Sequence, residues 1–250
     1  MITFSIVSHN QIDLACKAIL SIIKSFENPK IILTVNIPED LSSLKELTKQ
    51  HDFQLMIIKN KTPKGFGSNH NYAFSKIDTA YFCICNPDIE ITKISINFMG
   101  YLSDNVAFLS PSIKNKDGFD EDNLRKFPNL FHLILRFLGW KNVGSVSYEE
   151  DNFDWISAIF LICSTDNFRL ISGFDENFFM YYEDADICRR FSKRKLSFVV
   201  DTSSEVVHDA RRDSRKKFQY LRWHLFSSIR ILFLLGFFGY ERSRGYIQKK

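Results

Sequence analysis

Ala80-Tyr81-Phe82-Cys83-Ile84-Cys85-Asn86-Pro87-Asp88 is an apolar run that stops abruptly at a turn. Six apolar residues without interruption suit a strand buried on both faces, and Asn-Pro-Asp is turn chemistry that ends it. Upstream, residues 2–7, 30–37 and 53–59 read as strands of the same kind. Between them, residues 14–26 and 41–50 carry helical spacing, with Asn28-Pro29 and Pro38 as breakers, and residues 69–76 start a further helix. Strands alternating with helices predict an α/β chain: a single Rossmann-like, mostly parallel sheet flanked by helices. Such sheets bind ligands beyond the carboxyl ends of their strands. Ser8-His9-Asn10, the Gly65 loop and Asn86-Pro87-Asp88 all fall at that edge.

Downstream the pattern predicts a helix over 94–102, a strand over 106–111 and an irregular stretch over 113–146. That stretch contains Arg125-Lys126-Phe127-Pro128 and the apolar run 131–138, read as a mobile flap or an acceptor-side helix. A strand over 155–164, a short helix over 165–171, a helix over 183–193 and a strand over 196–200 follow. From residue 218 onward the pattern is helical, basic and apolar, which divides the chain into a body, 1–217, and an amphipathic helical appendage, 218–250, expected to associate with a membrane.

The 250 residues are 45% hydrophobic and 25% charged, enough for a full core, and 25 are phenylalanine. The net charge of +4 is uneven: residues 189–250 carry 16 Lys and Arg against 5 Asp and Glu. A basic end on an acidic body points to an anionic partner, whether headgroups, nucleic acid or a diphosphate. The five cysteines include no C-x-x-C pair, so reduced, buried thiols and a cytoplasmic setting are expected. Residues 1–7 lack the basic segment of a secretory signal and read as a strand. The apolar run 231–238 is too short to span a bilayer, which takes about 20 residues.

Two acidic clusters and a histidine carry the chemistry. Asp88 ends the fourth strand, where a carboxylate suits Mg²⁺ or Mn²⁺, with Asn86 as a weaker neutral contact. Glu183-Asp184-Ala185-Asp186 opens a helix after the aromatic run Phe178-Phe179-Met180-Tyr181-Tyr182. Acids favour a helix N-terminus anyway, but a carboxylate among aromatic rings is partly desolvated, which raises its pKa toward that of a useful base. His208 closes an apolar stretch and is followed by Arg211 and Arg212, residues able to complete a metal site and grip a diphosphate. Gly65-Phe66-Gly67-Ser68-Asn69-His70 has His where a dinucleotide fingerprint needs its third glycine, so it reads as a turn feeding a helix near a nucleotide or sugar. No H-E-x-x-H, G-x-S-x-G or Walker loop occurs, which removes support for zinc-protease, esterase and P-loop readings.

These stretches, in order, resemble family 2 glycosyltransferases of the GT-A fold, and within them bacterial rhamnosyltransferases of O-antigen and cell-wall assembly. The resemblance rests on Ile6-Val7-Ser8-His9-Asn10, the Gly65–Asn71 loop, Asn86-Pro87-Asp88, Arg125-Lys126-Phe127-Pro128, Asp154-Trp155-Ile156-Ser157-Ala158, residues 173–190, His208-Asp209-Ala210-Arg211-Arg212 and Arg222-Trp223-His224. The family's D-x-D stands here as Asn86-x-Asp88, and Ala158 stands where the family often has glycine. The resemblance implies a metal-dependent, inverting transfer from a nucleotide-diphospho-sugar, with dTDP-L-rhamnose expected ahead of UDP-galactose or UDP-glucose. It implies Asp184 as the base; Asp88 and His208 as contacts to Mg²⁺ or Mn²⁺; Ser8, Asn10, Gly67, Asn69, Asn86, Asp88, Arg211 and Arg212 on the donor side; and Trp155 and Glu183 on the acceptor side. A polyprenyl-diphosphate-linked saccharide is the implied acceptor, reached from the cytoplasmic face of a bacterial inner membrane with its anionic surface. A non-catalytic sugar-nucleotide or nucleic-acid binder is the reading from another class. A nucleic-acid binder has no need of both Asp88 and Asp184, so no nucleic acid is expected.

Overall fold

A computed structural model of the chain describes residues 1–140, 143–150, 152–209, 218–236 and 245–248. The chain opens with β1 (Ile2–Ser8), α1 (Ile12–Ser25), β2 (Lys30–Val35), α2 (Ser42–Gln50), β3 (Gln54–Lys59), α3 (Phe66–Phe74) and β4 (Tyr81–Cys85). These four strands are parallel, with β1 at the centre: Ser5 stands between Ile32 of β2 and Ile84 of β4. The alternation of β4 explains its apolar run. Phe82 and Ile84 enter the core on one face of the sheet, Cys83 and Cys85 the core on the other. All five cysteines are buried free thiols.

The second half adds β5 (Ile89–Lys93), a 3₁₀ turn (Phe98–Tyr101), β6 (Val106–Lys114), β7 (Leu124–Arg125), α4 (Leu130–Phe137), β8 (Trp155–Ile156), β9 (Phe160–Ser164), α5 (Thr165–Leu170), α6 (Glu183–Lys193), β10 (Ser197–His208), α7 (Phe218–Leu235) and β11 (Gly245–Gln248). Among the described residues the main sheet has nine strands in the order β11-β10-β6-β9-β4-β1-β2-β3, with β5 paired beside β10. It is mostly parallel. The exceptions are β9, antiparallel to β4 and β6, and β5, antiparallel to β10. β7 and β8 form a separate two-stranded ribbon.

Four expectations change. Residues 94–102 are not a helix: the chain first runs as β5, whose Ile89 and Ile91 are buried in alternation, and then makes the 3₁₀ turn. Ser95 fixes that change of direction, because its N–H donates to Ser204 Oγ at 2.8 Å and its hydroxyl to Asp201 Oδ2 at 2.8 Å. The strand expected over 155–164 is two strands in different sheets, broken where Ser157 N–H bonds Asn123 O and Ile159 O accepts from Asn86 N–H. The strand expected over 196–200 continues to His208, across a register shift between Asp201 and Glu205. Finally, the helix from 218 ends at Leu235, and Gly245–Gln248 is a strand parallel to Phe198–Asp201. α7 is held to the body by its inner face, where Ile231, Leu232 and Leu235 are buried and Ser227 Oγ donates to Met180 O at 2.8 Å.

The glycine loop and the aromatic run pack on each other. Cβ atoms added at Gly65 and Gly67 would stand 2.7 Å from Phe179 O and 2.6 Å from Phe174 Cβ, so only glycine allows this approach. Gly173 has a φ of +66°, and a Cβ added there would collide with Asn71 Oδ1, which accepts from Phe174 N–H at 2.9 Å. Gly173→Ala is therefore expected to cost about 2 kcal/mol or more, from left-handed strain plus the lost Asn71 bond. A melting curve checks this: a drop of several degrees is expected, whereas an unchanged Tm would show that the loop tolerates a side chain.

Candidate functional site

At the carboxyl edge of the sheet, a cleft of about 330 Å³ lies between the β8–β9 break and the start of α6. Its lining includes Asn86, Arg125, Trp155, Ala158, Tyr182, Glu183, Asp184 and His224. The entry to α6 is strained. Tyr181 and Tyr182 have φ of +72° and +63°, a left-handed pair that costs roughly 1–3 kcal/mol per residue and persists only where the surroundings impose it. Here the surroundings are aromatic: Tyr182 packs at 6.5 Å from Trp155 and 5.4 Å from His224, and Tyr181 at 5.2 Å from His224. That turn aims the first two residues of α6 into the cleft.

The three acids of this turn meet three environments. Asp186 is buried and fully paired, with Arg189 at 2.6 Å and Arg190 at 2.7 Å. It braces the helix. Asp184 accepts from Ala185 N–H at 2.9 Å and, at 3.4 Å, from Ala158 N–H across the β8–β9 break. Burial pushes its carboxyl up to about 6, against the opposing pull of those N–H groups and of Arg125. Glu183 is more deeply buried, its Oε2 has no hydrogen-bond partner, and burial with the neighbouring Asp184 charge holds its carboxyl well above the usual range. Asp184 is thus the acid of the three placed to exchange a proton near neutrality.

The strain on Glu183 has a stability consequence. A carboxyl whose folded pKa is raised contributes stability below its unfolded pKa and loses it as pH rises. Glu183→Gln removes that loss, so its Tm should exceed wild type by about 2–4 °C at neutral pH for each kcal/mol regained. The gain should vanish as pH falls to the ordinary glutamate range. A gain that grows toward acid pH would reverse the sign of this argument.

On the other side of Asn86 lies a polar corner. The antiparallel register of β10 and β5 sets His208 opposite Ile89, next to Asp88, and Asp209 N–H closes on Asp88 O at 2.8 Å. His208 Nε2 is 3.3 Å from Asp88 Oδ1 and 3.5 Å from Asn86 Nδ2, and Nδ1 is 3.7 Å from Glu121 Oε2. Burial alone would lower the imidazole pKa, but Asp88 and Glu121 override it and hold it up at about 9. His208 Nδ1 is nonetheless buried without a hydrogen-bond partner. With its pKa at about 9 the imidazole is protonated near neutrality and pairs with the two carboxylates; Asp88 and His208 together could hold a divalent cation only once the ring gives up that proton. Among the described residues no group of three or more His, Cys, Asp or Glu that could hold a metal ion by itself occurs.

The other expected donor contacts fall differently. Ser8, buried at the end of β1, accepts from Gln11 N–H at 3.2 Å and so helps to start α1. Asn10 is exposed beside it, in the left-handed region with φ of +60°. Gly67 is committed to the contact with Phe174, and Asn69 is buried, donating to Lys64 O and Gly65 O and accepting from Asn60. Gly67 and Asn69 therefore shape the loop and do not line the cleft. Arg211 and Arg212 lie outside the described residues. Trp155 and Glu183 do line it. Sequence reasoning missed Arg125, whose guanidinium lies 5.5 Å over the Trp155 ring, and His224, which reaches the cleft from α7. Both sit in quoted motifs, but only the long-range packing shows where they point.

No family model matches the chain. It is 29% identical to rhamnosyltransferase WbbL of Escherichia coli K12, over 93% of this chain and 92% of that one. It is 27% identical to the N-acetylglucosaminyl-diphospho-decaprenol L-rhamnosyltransferase of Mycobacterium tuberculosis H37Rv, over 50% of this chain but only 45% of that one. In fold it is similar to the mannosyltransferase PcManGT of Pyrobaculum calidifontis, solved with GDP-Man and Mn²⁺, with a TM-score of 0.63 and 13% identity over 92% of this chain and 64% of that one. The fold is that of GT-A glycosyltransferases, and by sequence the chain is a homologue of rhamnosyltransferases.

Proposed function

We propose that this homologue of rhamnosyltransferases is an inverting enzyme that moves L-rhamnose from dTDP-L-rhamnose to a polyprenyl-diphosphate-linked saccharide during O-antigen or surface polysaccharide synthesis. The observation that carries this reading is the pairing, at one sheet edge, of Asp184 in an open, aromatic-lined cleft with the Asp88–His208 corner next to Asn86. The rhamnosyl donor and lipid-linked acceptor are supported by the names of the two relatives.

Inversion takes one in-line displacement. Asp184 accepts the proton of an acceptor hydroxyl, that oxygen bonds to the anomeric carbon, and the bond from that carbon to the diphosphate oxygen breaks on the opposite face. Trp155, Tyr182 and Glu183 wall the acceptor side, and an acceptor seated against them would displace water there, which strengthens each electrostatic contact inside. Asp88 and His208 would hold Mg²⁺ or Mn²⁺, which supplies charge to offset that gathering on the leaving diphosphate. Arg211 and Arg212 follow the same strand end and are assigned to that diphosphate. No helix among the described residues is long and apolar enough to cross a membrane. α7, with Leu221, Leu225, Ile229 and Phe233 exposed at four-residue spacing, is assigned to an anionic bilayer surface on the cytoplasmic side.

The test is nucleotide release from a panel of dTDP-, UDP- and GDP-sugars, in Mn²⁺, Mg²⁺ or EDTA. Release from dTDP-L-rhamnose that requires a divalent ion is expected. Preference for UDP-galactose or UDP-glucose would overturn the donor assignment. The rate should also rise with pH through about 6, as Asp184 loses its proton. A profile flat between pH 5 and 8 would remove Asp184 as the base.

A further inference from the structure

α7 is one of two helices beside the cleft with an apolar face turned to solvent. α4 is the other. Its Leu133 packs on the core, whereas Leu130, Phe131, Ile134 and the following Leu138 and Trp140 are 47–67% exposed. Single exposed apolar residues are ordinary on protein surfaces, but a contiguous stripe of five large ones marks a surface that meets something apolar. On α7, Leu221, Leu225, Phe226, Ile229 and Phe233 are 54–74% exposed, while Ser227, Ile231 and Leu235 hold the opposite face to the body.

Both helices come close to one residue. Tyr182 packs on His224 of α7, and the same ring shares a small cavity with His132 of α4, Arg125, Lys126 and Trp155. Their charge is also one-sided. Of the described residues, 123–140 contain three Lys or Arg and no Asp or Glu and 218–236 contain two and none; Arg125, Lys126 and Arg230 pair with Asp122, Asp154 and Asp175, whereas Arg222 on α7 is exposed. The rest of the chain is net acidic, so two helices near one cleft, apolar on their outer faces and free of acids along their length, complement an anionic apolar surface. Trp140, exposed at the end of α4, is the side chain that sits well at a headgroup boundary.

We propose that α4 and α7 together form a two-sided bilayer-docking platform, with anionic lipid as the occupant and the acceptor mouth of the cleft held between them at headgroup level. This rests on the lipid-linked acceptor proposed above and adds α4 as a docking element and a fixed orientation. A diphosphate-linked sugar cannot leave the headgroup layer, so an enzyme docked on both sides of its mouth meets that sugar without extracting the lipid.

The full chain is sedimented with vesicles of phosphatidylglycerol and phosphatidylethanolamine, and with phosphatidylcholine vesicles. Wild type should bind the anionic vesicles at least tenfold better, less so in high salt. The double substitution Ile134→Asp and Leu138→Asp should reduce that binding about tenfold or more with an unchanged Tm, as should Leu225→Asp with Ile229→Asp on α7. Both variants should keep wild-type transfer to a short-chain, water-soluble acceptor and lose transfer to a long-chain acceptor in vesicles. Wild-type vesicle binding by the α4 variant overturns the proposal. So does light scattering that shows a stable dimer dissociated by the α4 changes, because a second copy would then cover that face. If wild type fails on the soluble acceptor, the catalytic reading fails, while the sedimentation result still decides the docking.

Discussion

Asp184→Asn is expected to lower kcat by roughly 10²–10⁴-fold and to leave donor binding near that of wild type. The amide has the shape of the carboxylate but only one oxygen: it can keep the 2.9 Å bond from Ala185 N–H and gives up the longer one from Ala158 N–H, which goes to the other carboxylate oxygen, so the α6 turn keeps its nearer anchor. What it cannot do is take a proton. The loss should therefore appear in kcat and kcat/KM together, with the Kd for the nucleotide sugar moving little. The neighbouring carboxyl makes the control: Glu183 is the more buried of the two and has an oxygen without a partner, which suits a wall and not a proton relay. If Glu183→Gln is the inactive variant and Asp184→Asn turns over normally, the base has been assigned to the wrong carboxylate.

Asp88→Ala should reduce transfer by roughly 10²–10³-fold, the usual cost of removing one group that stabilises charge on a leaving oxyanion. It should also weaken binding of Mn²⁺, which isothermal titration reads without any turnover. The physical reason is local. Asp88 supplies the carboxylate 3.3 Å from His208 Nε2, and without it the imidazole keeps only Glu121 as an acidic neighbour. Full activity of Asp88→Ala, or of wild type in EDTA, would show that this corner only pins β5 to β10.

The first half of the fold was legible because its strands are uniformly apolar and its breaks are chemical: Asn28-Pro29, Pro38 and Asn86-Pro87-Asp88 punctuate β1 to β4 without ambiguity. β5 was hidden by overlap. Ile89-Glu90-Ile91-Thr92 alternates as a strand, but Ile94, Phe98 and Leu102 just beyond it repeat every four residues and outvoted it. The break between β8 and β9 has no local signature, since Asn123, Asn86 and Asp184 impose it from elsewhere. At the site, the position of Asp184 in the cleft was readable because aromatic residues precede it directly. Asp88 and His208 were readable as strand ends, and the β5–β10 register brings them together. Asn69 was expected on the donor side; its amide bonds Lys64 O and Gly65 O of its own loop, a setting that the glycine turn alone does not reveal. Arg125 and His224 belong to elements whose contact with Tyr182 and Trp155 is wholly tertiary.

The anomeric configuration of the transferred sugar tests the central claim most directly. Wild-type protein is incubated with dTDP-L-rhamnose, Mn²⁺ and a polyprenyl-diphosphate-linked N-acetylglucosamine, and the product is analysed by NMR. One base in the cleft and one in-line displacement require a glycosidic bond whose configuration is inverted relative to the donor, formed by wild type and not by Asp184→Asn. A product with retained configuration, or the inverted product formed at the wild-type rate by Asp184→Asn, would contradict it.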